Sequence, residues 1–216
     1  MLATRLRLVC IVVLLLLWLV PYIMEHSLSV SDKEYMLHLN NGYSCFQNRD
    51  YKCTLSEYNR ALKLYQSDCY LYTQIATTYE KLEMYDRAIE YARKALKYPD
   101  SKSIYKRANG FIFPLHTDVS AYYTIGNSSL QLEKYNDALD AFNYVLKHTS
   151  FKYTDAHFYL GQAYFGLGET KKALEEFMEH KATIEAYLSD VDGGSYYNHN
   201  DIDEVNQWIN MAAAVK

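Results

Sequence analysis

Hydrophobic positions divide the chain into two regimes. From Leu8 to Val20 it is continuously apolar, extended by Pro21, Tyr22, Ile23 and Met24 and ended by Glu25 and His26. So unbroken a run has no polar face to present to water. Beyond Ser31 the pattern becomes helical. Leu71, Tyr72, Ile75, Tyr79 and Leu82 recur at three- and four-residue spacing, as do Ile89, Ala92, Ala95 and Leu96 after a turn at Glu83-Met84. Ser31 and Glu34 have the spacing of a capping box that opens the first helix. Asp201 is expected to cap a final helix through Val215, with Val205, Trp208, Ile209 and Ala212 on one apolar stripe.

The leading segment, residues 1–30, is expected to be a signal anchor or a cleavable signal peptide. Leu8 to Met24 would make ~25 Å of helix, slightly short of a bilayer core. Trp18 and Tyr22 would lie at one interface and Arg5 and Arg7 at the other. Against this, Leu8–Val20 resembles the apolar region of a signal peptide, and Ser27-Leu28-Ser29 offers small residues for cleavage. The anchor is preferred because the run exceeds a usual signal-peptide core. Either reading places the rest outside the cytoplasm, in a periplasm or organelle lumen, or secreted after cleavage.

The periodic region repeats itself. Asp50-Tyr51 through Ala61-Leu62-Lys63 aligns with Met84-Tyr85 through Ala95-Leu96-Lys97 at a spacing of 34 residues. Lys134-Tyr135-Asn136-Asp137-Ala138-Leu139 echoes the same segment after an insertion, and Gly168 to Leu174 repeats it again. Period and pattern resemble the tetratricopeptide family. Its glycine slot holds Gly42, Ala76, Gly126 and Gly161, and its leucine slot Asn41, Ile75, Ile125 and Leu160. The tyrosine slot holds Cys45, Tyr79, Ser129 and Tyr164. In the second helix the alanine slot reads Thr54, Ala88, Ala138 and Ala173. The phenylalanine slot reads Tyr58, Ala92, Phe142 and Phe177, and the next small slot Ala61, Ala95, Val145 and His180.

The resemblance implies an all-α, right-handed superhelical solenoid of about four helix-turn-helix units over residues 31–183. The repeats fall near 35–68, 69–99, 119–150 and 154–187, with an insertion at 100–117. Residues 188–216 form a loop and a capping helix. Departures cluster in the first and last repeats, where one face lacks a neighbour. In the insertion Gly110 and Pro114 end regular structure, and Phe111, Ile112 and Phe113 need cover. It is expected to fold back on the solenoid, with a partner-contacting loop as the alternative.

In this family the first helices line a concave groove. The lining slots are Met36, Leu39, Tyr43, Phe46; Tyr70, Thr73, Thr77, Glu80; Ser120, Tyr123, Asn127, Leu130; and Asp155, Phe158, Gln162, Phe165. The candidate partner-binding set comprises these without Glu80, Ser120 and Asp155. Relatives that clamp acidic chaperone tails use cations here. The corresponding Leu39, Tyr43, Gln74, Ser120 and Thr124 include none, so an apolar peptide or amphipathic helix is the expected occupant. The alternative cover is the insertion or a second copy of the chain.

Composition narrows the classes. A net charge of −4 without a basic cluster argues against nucleic acid. No G-x-S-x-G, H-E-x-x-H or Walker A motif is present, so no catalysis and no cofactor is expected. Gly166-Leu-Gly168-Glu-Thr-Lys171 superficially resembles a phosphate loop but follows a helix. His38 and His157 stand where the family often has tryptophan, and packing is their expected role. Asp190, Asp192, Gly193 and Gly194 suggest a calcium loop with its order broken. Asn127-Ser128-Ser129 is a glycosylation sequon inside an expected helix. Of Cys45, Cys53 and Cys69, two can pair, and the sequence leaves open which. The chain is thus expected to be a membrane-anchored adaptor for a peptide or helix of another protein. The alternative is a non-catalytic subunit of a membrane enzyme such as a glycosyltransferase.

Overall fold

The computed structural model describes residues 29–98, 116–149, 155–190 and 199–215. Apart from the turns that join them, these residues are helical. They form α1 (Val30–Gln47), α2 (Tyr51–Leu64), α3 (Cys69–Lys81), α4 (Tyr85–Ala95), α5 (Thr117–Gln131), α6 (Tyr135–His148), α7 (Ala156–Gly166), α8 (Thr170–Asp190) and α9 (His199–Ala214). Consecutive pairs from α1–α2 to α7–α8 make four antiparallel hairpins, and α9 packs on α8.

Each hairpin turns in the same way. The residue after the C-cap adopts positive φ: Arg49 at 59°, Glu83 at 59°, Glu133 at 56° and Gly168 at 78°. Its N–H reaches back to a carbonyl of the last turn, and the following N–H reaches the carbonyl one residue further back. Glu133 N–H donates to the Leu130 carbonyl at 3.0 Å and Lys134 N–H to that of Ser129 at 2.8 Å. This Schellman closure satisfies carbonyls that the helix end would otherwise leave open. Only the fourth turn uses glycine. The other three place a side chain where left-handed backbone costs ~1 kcal/mol or more.

The small slots do what the resemblance implies. A Cβ added at Gly126 would lie 2.6 Å from Phe142, and Gly42 and Gly161 meet Tyr58 and Phe177 in the same way. All three rings are fully buried. In the second hairpin Ala92 replaces the ring, and there the opposing residue is Ala76. The four buried clusters each span a junction between units. Tyr35, Tyr58, Leu71 and Ile75 join the first two hairpins. Ala92, Ala95, Ala121 and Ile125 join the next two, across the insertion. Phe142, Val145, Ala156 and Leu160 make the third junction, and Phe177, Ile184, Val205 and Ala212 the closing one. Stability is therefore a chain of neighbour contacts.

The capping box is Ser29–Asp32, not Ser31–Glu34. Asp32 N–H donates to Ser29 Oγ at 3.0 Å and Ser29 N–H to Asp32 Oδ2 at 2.9 Å. Asp32 wins because its carboxylate also accepts the Tyr65 hydroxyl at 2.8 Å, fixing the helix start against the second helix. The last helix begins at His199, so Asp201 sits in its first turn instead of capping it. The stripe on α9 is as expected: Val205 and Ala212 are buried, with Trp208 and Ile209 packed beside them. The apolar segment 8–24 lies outside the described residues, and none of the described helices is long and apolar enough to cross a membrane.

Gly126→Ala should lower unfolding stability by ~1–3 kcal/mol, because Phe142 must move from a fully buried site. Thermal melting reads this directly, and an unchanged midpoint would contradict the packing. Glu133→Gly should act in the opposite direction. It relieves left-handed strain and should raise stability by about 0.5–1 kcal/mol. A fall in the melting midpoint would mean that the Glu133 side chain contributes more than its backbone costs.

Candidate functional site

First helices of neighbouring repeats pack together, α3 with α5 and α5 with α7, more closely than any two second helices do. The first helices therefore form the inner, concave side. The sixteen lining positions do not share one fate along it. Leu39 and Thr73 are buried, at 3% and 4% exposure, so they present no surface to a ligand. Leu39 is drawn into the first junction, and the Thr73 hydroxyl is spent on the Tyr70 carbonyl at 2.6 Å. Met36, Tyr70 and Leu130 are half-buried at the edges of junction clusters. Phe46 packs edge-on against Tyr51 at the first turn. Phe158 and Phe165 both meet Trp208 of α9, with centroids 6.2 and 5.7 Å away, so the capping helix covers much of these rings. Tyr43 is the most open of the aromatics, at 55% exposure. Thr77, Asn127 and Gln162 line the middle of the face half-buried.

Around that middle the structure assembles a polar–aromatic cluster from three repeats. Glu80 of α3 is hydrogen-bonded by Thr124 and Asn127 of α5. Burial raises its carboxyl above the usual carboxylate range, while Lys81 and the two neutral donors only partly oppose this. Tyr123 is edge-on to Phe142 and to Tyr159, each at 5.7 Å, and Tyr159 stacks on Phe142 at 5.1 Å. The Tyr123 and Tyr159 hydroxyls are hydrogen-bonded. Burial first, then the carboxylates of Asp155, Glu80 and Glu204, push the Tyr159 hydroxyl up. Beyond Tyr159 a cleft of about 270 Å³ opens between α7, α8 and α9. Phe158, Tyr159 and His180 line it together with Asp155, Asp201 and Glu204.

Glu80, Thr124 and Tyr159 are absent from the candidate set. Tyr159 occupies the same slot as Gln74 and Thr124, one step inside the four lining slots. Counting that inner slot would have found it. Glu80 stands where the other repeats carry Phe46, Leu130 and Phe165, so its charge was the available signal.

The other motifs resolve into scaffold. His38 and His157 do more than pack: each lies with Nδ1 2.8 Å from a glutamate of its own hairpin, Glu57 and Glu176. The His38 hydrogen bond is the main cause that holds the Glu57 carboxyl below its usual range. Cys45 and Cys53 form a disulfide across the first turn, with Cα atoms 5.7 Å apart, and Cys69 is buried outside it. The slots that pair there hold Tyr164 and Lys172 in the fourth hairpin, where the Lys172 ammonium lies 5.1 Å from the Tyr164 ring. The phosphate-like Gly166–Lys171 stretch is that hairpin's turn. Asn127 of the sequon faces Glu80, and Ser128 and Ser129 are fully buried, so the sequon is closed to modification in the folded chain. The Asp190–Gly194 loop side chains lie outside the described residues. No group of three or more potential metal ligands occurs among the described residues.

Comparison with known proteins agrees with this architecture. Tetratricopeptide-repeat family models match residues 70–101 and 123–183. Human sperm-associated antigen 1 is 32% identical over 79 residues, which is 36% of this chain and 8% of that protein, so the chain spans less than a tenth of this relative. Among solved structures, a crystal structure of MamA superposes with a TM-score of 0.58 at 21% identity, covering 83% of this chain and 90% of that one. MamA of Desulfovibrio magneticus RS-1, from residue 41 to its end, gives 0.57 at 16% identity, covering 88% and 97%. At such identities the likeness is one of fold. Residues 70–101 and 123–183 are tetratricopeptide repeats, stacked with their flanking hairpin and cap into an α-helical solenoid.

Proposed function

We propose that this chain is an interaction adaptor, held at a membrane by its N-terminal segment, that receives a segment of another protein on its concave face. Tetratricopeptide solenoids are protein-binding scaffolds, and the repeats support that coarse role. The observation that carries the finer reading is the half-buried face made by Thr77, Tyr123, Asn127 and Gln162 from three successive repeats. Side chains so placed are held by packing yet still reach solvent, which suits a surface that orders little on binding. Tyr43 extends the face towards the first repeat, whereas Leu39, Thr73 and the Trp208-covered phenylalanines serve the scaffold.

Placement outside the cytoplasm rests on two independent features. Arg5 and Arg7 precede the apolar run, which favours retention of that end on the cytoplasmic side. Cys45–Cys53 is a disulfide, a bond that persists in oxidising compartments.

A photo-crosslinking residue introduced at Thr77 should yield a discrete heavier adduct in native membranes, while one at Asn143, exposed on α6, should not. Equal yields from the two sites, or none from Thr77, would argue against concave-face binding. A C-terminal reporter active only outside the cytoplasm tests the topology, and its silence beside an active cytoplasmic reporter would reverse it.

A further inference from the structure

The concave face carries a half-buried carboxylate, Glu80, that is held by neutral donors. Glu80 lies half-buried in the slot that Phe46, Leu130 and Phe165 fill in the other three repeats. Its partners are the neutral side chains of Asn127 and Thr124. Lys81, the neighbouring cation, is the next residue along α3 and is exposed. Among the described residues, no ion pair reaches Glu80. A carboxylate held there by neutral donors costs desolvation, and an apolar residue would serve packing better. Its environment is also suited to one kind of guest. The Tyr123 and Tyr159 rings stand next to each other across α5 and α7, and Tyr159 is close enough to feel the Glu80, Asp155 and Glu204 carboxylates together. A long basic side chain can lay its methylene stem along aromatic rings while its head meets a carboxylate.

We infer that Glu80 is the specificity-determining residue of the concave face, and that the partner segment it receives bears a lysine or arginine between apolar residues. This inference rests on the adaptor reading above and narrows its occupant from any amphipathic segment to a basic one. An acidic segment is disfavoured, because like charges facing each other in a partly desolvated groove repel strongly. Specificity then comes from one matched charge, while the tyrosines supply contact area.

The test uses the full chain in lipid nanodiscs, panned against a displayed library of random linear peptides. Recovered peptides should share a lysine or arginine flanked by apolar residues. They should bind Glu80→Gln about tenfold or more weakly, and lose affinity as salt is raised. Glutamine keeps hydrogen-bonding capacity towards Asn127 and Thr124 and removes the desolvated charge. Glu80→Gln should therefore melt no lower than the natural chain at neutral pH, which separates lost recognition from lost fold. Glu80→Lys should shift recovery towards acidic peptides. Recovery of peptides without a basic residue, or equal binding to Glu80→Gln, overturns the assignment of Glu80 and leaves the groove reading standing. Failure of the natural chain to enrich any peptide overturns both.

Discussion

The distance between the two helices of a hairpin is set by an aromatic ring that fills the space over a residue with no side chain. Tyr58 over Gly42, Phe142 over Gly126 and Phe177 over Gly161 repeat this contact through the solenoid. A fully buried ring of this size contributes several kcal/mol of burial and fixes the helix crossing at once. The pairing also explains its one departure. Where the ring shrinks to Ala92, the glycine slot can carry a methyl group, and Ala76 does. The volume lost there reappears at the hairpin edge, where Tyr91 contacts Tyr79 and Tyr72, and Tyr72 stacks on Tyr98.

The junctions between hairpins depend on this spacing, because their clusters use the same rings from the other side. They also give several of the described tyrosines a use that phenylalanine could not fill. A tyrosine can bury its ring in a junction and spend its hydroxyl on a polar group that the stack would strand. Tyr65 donates to Asp32 and Tyr72 to the Gln66 carbonyl, each at 2.8 Å. Within the third hairpin the Tyr144 hydroxyl donates to Asp118, and that hydrogen bond, with burial, pushes the hydroxyl up to about 12. Phenylalanine would leave each acceptor to water or to nothing.

Fold and register were legible because repetition averages over local noise: four copies of a slot reveal what one cannot. Single features without a repeat were not. Ser31–Glu34 and Ser29–Asp32 both satisfy the capping-box spacing closely enough to compete locally, and only Tyr65, distant in sequence, decides between them. Slot assignment put Leu39 and Thr73 among the lining positions of the inner face. It could not show that both would be buried in the folded stack. The cover on Phe158 and Phe165 comes from a helix outside the repeats, whose docking a repeat pattern does not encode. The Cys45–Cys53 pairing was likewise invisible until the first turn brought the two helices together.

The capping helix has one property that reaches beyond packing. Trp208 lies among three phenylalanines, Phe158, Phe165 and Phe177, in the closing junction. A half-buried indole among aromatic rings emits at shorter wavelength than one in water, and the molecule holds just one other tryptophan, Trp18 in the leading segment. The junction between α8 and α9 therefore carries its own optical probe. Detachment of α9 would redden Trp208 emission while helicity stayed almost constant, so fraying of the last unit can be watched separately from unfolding of the stack.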